Sequence, residues 1–94
     1  MMASERPVRS VYYSSRFKKS LERMPNFVKK AFLEKEGVFM RNAFYPLLRT
    51  HQLHGKYKDY WAFTVIGQHR VMFKFLNKEC DVGLIDIGTH EIYK

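Results

Sequence analysis

Between Asp59 and Ile87 the chain reads DYWAFTVI, GQH, RVMFKFL, NKE, CDVGLIDI: three short apolar stretches separated by tight turns. Trp61, Phe63 and Val65 alternate with Tyr60, Ala62 and Thr64, and Val71, Phe73 and Phe75 alternate with Arg70, Met72 and Lys74. A period of two is the signal of a strand, and connections this short can join only antiparallel neighbours. This part of the chain must therefore fold as a three-stranded meander, and what precedes it must cover one of its faces.

The preceding residues supply a strand and two helices. VRSVYYS (8–14) is β-branched and aromatic, the composition of a first strand. Ser14 or Ser15 can cap the next segment, where Phe17, Leu21 and Met24 fall at helical spacing. Pro25 breaks that helix, and Asn26 can cap a second one. Its stripe is Val28, Ala31, Phe32 and Phe39, while Lys29, Lys30, Glu34 and Lys35 face water. Gly37 either ends this helix or weakens a continuation to Arg41. From Pro46 to Gly55 there is little period, as in a loop.

The order β-α-α-β-β-β predicts an α+β fold forming a single domain over residues 1–94. Its two N-terminal helices pack on one face of a twisted antiparallel sheet, and the other face is left partly open. If Phe73 and Phe75 face the helices, Arg70 and Lys74 stand on the open face. A slip of one residue would reverse this.

Composition limits the function classes. The 94 residues suffice for one modest core. No run reaches the length of a membrane span, and MMASERPVRS lacks the apolar stretch of a signal peptide, so a cytoplasmic protein without membrane attachment is expected. The single Cys80 excludes an internal disulfide or a cysteine-cluster metal site. Seventeen Lys and Arg against nine Asp and Glu leave a net charge of +8, which favours a polyanionic partner, nucleic acid or an acidic protein. The bases concentrate between Arg6 and Lys30 and again between Arg49 and Lys78.

Histidine and arginine are the side chains with chemistry to offer. RNA cleavage can proceed with a base for the 2′-hydroxyl proton, an acid for the leaving 5′-oxygen and a cation for the phosphoryl oxygens. Histidine exchanges protons near neutrality, and arginine is a permanently charged planar fork. The four histidines, at 51, 54, 69 and 90, lack zinc-site spacing, and no Walker loop, G-x-S-x-G or dinucleotide fingerprint is present, so neither a metal nor a cofactor is expected. His54, in a polar loop, and His69, beside a turn, read as structural or merely exposed. His51 lies among Arg49, Lys56 and Lys58, and His90 follows the last strand, where scaffolded loops carry function. Either could equally be an ordinary surface histidine.

The stretch FYPLLRTHQLHGKYKDYWAFTVIGQHRVMFKF, followed by LIDIGTHEIYK, resembles the RelE/ParE superfamily of type II toxins, in the branch near YoeB and YafQ. LxxHxLxG, YW, HRVMF and GTH occur in order over most of the chain. The resemblance implies a RelE-like, microbial-RNase-like fold and a ribosome-dependent messenger-RNA endonuclease held inactive by a cognate antitoxin, the class of gene linked to plasmid stabilization. It implies three catalytic residues. His51 stands where YafQ-like toxins carry an active-site histidine and YoeB-like toxins a glutamate acting as base. Arg70 would bind the scissile phosphate, and His90 is a candidate general acid. It also implies contacts to RNA or ribosomal RNA by Lys56, Lys58, Trp61 and Tyr93, to which charge and strand position add Arg49 and Lys74, though Tyr93 reads equally as an anchor for the tail. Ala62, Thr64 and Gln68 replace acid-base residues of YafQ-like toxins, which leaves the simpler set of His51, Arg70 and His90. The alternative within the superfamily is a ParE-like toxin that binds DNA gyrase without catalysis. A third is a non-toxic RNA-binding module.

Overall fold

The computed structural model describes residues 6–93, apart from the side chains of Glu91 and Tyr93. The elements are β1 (Ser10–Tyr13), α1 (Ser15–Glu22), α2 (Asn26–Arg41), β2 (His51–Gln52), β3 (Trp61–Ile66), β4 (His69–Phe75) and β5 (Asp81–Gly88), followed by a 3-10 helix, His90–Tyr93. The meander forms as its alternation predicts, β3 and β5 each pairing antiparallel with β4.

The sheet order is β1-β5-β4-β3-β2. Two features lie beyond the sequence reading. β1 runs parallel to β5, from Ser10 opposite Asp81 to Tyr13 opposite Leu84, so the five-stranded sheet is mixed. The segment from Pro46 to Gly55, expected to be irregular, contains the two-residue strand β2, paired antiparallel with β3.

Helix boundaries follow local chemistry. Ser14 caps α1, its hydroxyl oxygen accepting from the Phe17 N–H at 2.9 Å. The same hydroxyl donates to the Ile85 carbonyl, tying the start of α1 to β5. Pro25, whose fixed φ suits a helix entry, precedes α2, which continues through Gly37 to Arg41. Tyr13 on β1 donates its phenol to Glu36 of α2. Burial, and then this carboxylate, raise the phenol's pKa above its ordinary value.

The core lies between the helices and one face of the sheet. Phe39 stacks on Phe63 with ring centroids 4.6 Å apart and meets Phe73 edge-on at 4.9 Å, while Phe17 packs on Phe32 at 5.3 Å. All five rings are fully buried, and at about 1.5–3 kcal/mol per buried large apolar side chain they dominate the packing. Since Phe73 faces the helices, Arg70, Met72 and Lys74 face the other way.

Two bulges shape that second face. Val65 is the extra residue in β3, between the pairs Thr64–Arg70 and Ile66–His69. Ile85 is the extra residue in β5, between the pairs Leu84–Phe73 and Asp86–Met72. Lys35, expected in water, instead reaches from α2 to donate to the Val65 carbonyl at 2.9 Å. The bulges add twist on either side of the Arg70–Met72 segment, the arrangement often found beside active sites.

Candidate active site

Register places His51 and Arg70 on the open face. His51 pairs with Ala62, Ala62 with Met72 and Met72 with Asp86, so these four share a row across four strands. The next row contains Thr64, Arg70 and Gly88. With strands about 4.8 Å apart and about 3.4 Å per residue, the His51 and Arg70 backbones are roughly 12 Å apart on the diagonal. That separation lets an imidazole and a guanidinium meet over a phosphodiester lying between them.

His51 is exposed and its ring is oriented. Its Nδ1 lies 2.9 Å from the Arg49 carbonyl oxygen, which can only accept, so Nδ1 carries the hydrogen. In the neutral ring the lone pair is then on Nε2, free to take a proton. Arg49 adopts the left-handed conformation, φ +51° and ψ +39°, at the end of the 3-10 turn Pro46–Leu48. A non-glycine residue there is strained, and such strain concentrates at functional positions.

Arg70 is half-buried and donates Nη1 to the Gln68 carbonyl at 2.9 Å. Among the described residues it has no carboxylate partner. Arg9, in contrast, holds Asp81, and Arg16 holds the buried Asp86 with Nε 2.9 Å from Oδ2. Neutralising Asp86 matters locally: it shares the row of His51, and a bare carboxylate there would repel a phosphate.

The tail brings His90 to the same region. After Gly88 the chain turns, and the 3-10 helix His90–Tyr93 packs back against β4 and β5. Ile92 anchors it, buried with Leu53, Ala62 and Met72 in a small apolar cluster on the open face. His90 itself is exposed, two residues beyond the Gly88 that pairs with Arg70.

The remaining candidates divide. Lys74 lies on the open face, its Nζ 5.8 Å from the centroid of the Tyr60 ring. Lys56 and Lys58 are exposed in and after the turn Gly55–Tyr57, and the Lys58 carbonyl accepts from Gln52. Trp61 does not join them: it packs edge-on with Phe44 at 5.6 Å and with Phe75 at 5.4 Å, on the helix side. The Tyr93 side chain lies outside the described residues. His69 meets the Phe27 ring edge-on, again on the helix side. Sequence reasoning passed over Tyr57 and Tyr60, which flank the open-face cluster, and Ile92, which closes it. The alternation already set Tyr60 opposite Trp61, a signal that could have singled it out. Among the described residues no group of three or more His, Cys, Asp or Glu side chains is placed to hold a metal ion, and no helix is long and apolar enough to cross a membrane.

Two helices packed on this five-stranded mixed sheet make an α+β fold that matches the fold of solved RelE/ParE toxins. The chain is similar to the RelBE2 toxin–antitoxin complex structure from Mycobacterium tuberculosis (TM-score 0.75, 14% identity, 92% of this chain and 97% of that one). It is similar to a YoeB/ParE toxin from Agrobacterium tumefaciens (TM-score 0.74, 15% identity, 87% and 99%). It is also similar to YafQ from E. coli (TM-score 0.66, 19% identity, 90% and 97%). No family model matches the chain, and no curated protein matches it in sequence.

Proposed function

We propose that this protein is the toxin of a bacterial type II toxin–antitoxin pair and an endoribonuclease that cuts messenger RNA at the ribosome. The observation that carries this reading is the convergence of His51, Arg70 and the His90 segment on one face of the sheet. In the proposed reaction His51 Nε2 takes the proton of the 2′-hydroxyl, and that oxygen attacks the adjacent phosphorus. The bond from phosphorus to the 5′-oxygen breaks, and protonated His90 delivers a proton to the departing oxygen. The products are a 2′,3′-cyclic phosphate and a free 5′-hydroxyl. Arg70 bonds the non-bridging oxygens as charge accumulates on them. Arg49, Lys56, Lys58 and Lys74 supply the surrounding positive field that holds message and ribosomal RNA.

Toxin–antitoxin complexes among the similar structures support a protein inhibitor as the second partner. An acidic segment that folds as it binds would suit the +8 chain. Action on ribosomes places the protein in the cytoplasm. The gyrase-directed reading is not favoured, because a purely binding toxin has no use for two histidines and an arginine on one face.

The test is expression of the wild type beside His51→Ala, Arg70→Ala and His90→Ala without an antitoxin, with message ends mapped and growth followed. Each variant is expected to lower cleavage by about a hundredfold or more and to restore growth. Full cleavage by all three would overturn the mechanism, and a wild type that leaves message intact would overturn the nuclease reading.

A further inference from the structure

Tyr57 and Tyr60 flank the apolar cluster on the open face, half-buried, with their rings edge-to-face at 6.2 Å and 60°. An ammonium group lies over each ring. Lys56 Nζ is 5.3 Å from the Tyr57 centroid and Lys74 Nζ is 5.8 Å from the Tyr60 centroid. The exposed Asp59 between them in sequence forms no ion pair among the described residues. Lys74 is four residues along β4 from Arg70, about 14 Å at the rise of a strand. The Tyr60 carbonyl accepts from the Leu53 N–H, two residues past His51, so the rings stand one row from His51, about 7 Å at the rise of a strand, on the same continuous surface.

We infer that Tyr57, Tyr60 and Lys74 form a base-stacking subsite for a nucleotide flanking the scissile linkage, an inference that rests on the ribonuclease reading above. Surfaces for single-stranded nucleic acid combine aromatic rings for the bases with cations for the backbone. Here the two are already paired. An ammonium held over a ring by cation–π attraction is weakly bound at an exposed site, worth about 0.5–1 kcal/mol. Lys74 can leave the Tyr60 ring for a phosphate, where charge-assisted hydrogen bonds are stronger, and the exchange opens the Tyr60 ring to a base. A purine presents the larger stacking surface, so the subsite favours purine over pyrimidine at that position. Trp61 takes no part, since its ring is committed to the helix side.

The probe is a fluorescein-labelled, fully 2′-O-methylated RNA oligomer, which cannot be cut, in all-adenine, all-uracil and single-abasic forms. Wild type is expected to bind the adenine oligomer most tightly and to lose about tenfold when one base is removed. Tyr60→Leu is expected to weaken binding by a similar factor and to respond no further to the abasic residue. Tyr60→Phe keeps wild-type binding. Lys74→Met lowers the slope of log affinity against log salt, whereas Tyr60→Leu leaves it unchanged. Equal wild-type affinity for intact and abasic oligomers would overturn the stacking subsite, a comparison that needs no variant to fold. Wild type binding none of the oligomers at low salt would overturn the RNA reading of the face and the subsite with it.

Discussion

A Cβ on Gly88 would lie 2.7 Å from Cγ2 of Ile92, closer than carbon atoms approach without something moving. Glycine at the end of β5 is what lets the tail lie flat on the sheet and fix where His90 begins. The methyl it would meet belongs to a β-branched side chain with few χ1 rotamers, packed against Leu53, Ala62 and Met72, so it has little room to turn away.

Gly88→Ala is therefore expected to lift the tail, costing about 1–3 kcal/mol in overpacking and, on the proposed ribonuclease mechanism, lowering RNA cleavage at least tenfold through misplaced His90. Ile92→Ala removes the opposing methyl, so in urea unfolding the double variant should lose less stability than the sum of the two single losses. Strict additivity would show that the contact does not govern the tail.

Asp81 gives the fold an acid limit. Hydrogen bonds from Arg9, at 2.8 and 2.5 Å, and then from Asn77 at 2.8 Å, lower its pKa to about 2. A carboxylate depressed in the folded state contributes its stability in full above its ordinary unfolded value, near 4, and loses it as pH falls toward 2. Melting temperatures measured from pH 6 to pH 2 should fall more steeply for wild type than for Asp81→Asn, the two curves converging at the acid end.

Lys35 satisfies the Val65 carbonyl freed by the β3 bulge. Lys35→Met preserves the length of the stem and removes the donor, at an expected cost of about 1 kcal/mol. Amide hydrogen exchange around Thr64 and Ile66 should quicken, since that bulge sits directly beside the Arg70 pair.

The left-handed backbone at Arg49 makes a further prediction. Arg49→Gly and Arg49→Ala both remove the guanidinium, but only glycine occupies φ +51° without strain. Chemical denaturation should find the glycine variant more stable than the alanine one by about 1 kcal/mol. The reverse order would mean that the turn relaxes and that the Arg49 carbonyl is free to release His51.

Much of the layout was legible in the chain itself. The two-residue period put Phe63 and Phe73 on one face and Arg70 and Lys74 on the other, because a pleat alternates whatever surrounds it. Ser14, Pro25 and the stripe Val28, Ala31, Phe32 and Phe39 marked the helices through purely local chemistry. Trp61 shows the limit of that reading. Its alternation with Tyr60 was visible, yet the resemblance to RelE/ParE toxins assigned it to RNA, while the same alternation carried it to the helix side with Phe44 and Phe75.

What only tertiary structure decided involves partners far apart in sequence. β1 pairs parallel with β5 across some seventy residues, β2 is too short to show a period, and Ile92 folds back on Met72. These choices depend on which strand edge the other pairings leave open and which apolar patch the helices leave uncovered. Residue patterns within a single strand determined what each face offers, and long-range pairing determined which groups meet there, since a local period is set by backbone geometry but a neighbour is chosen by the burial left to satisfy.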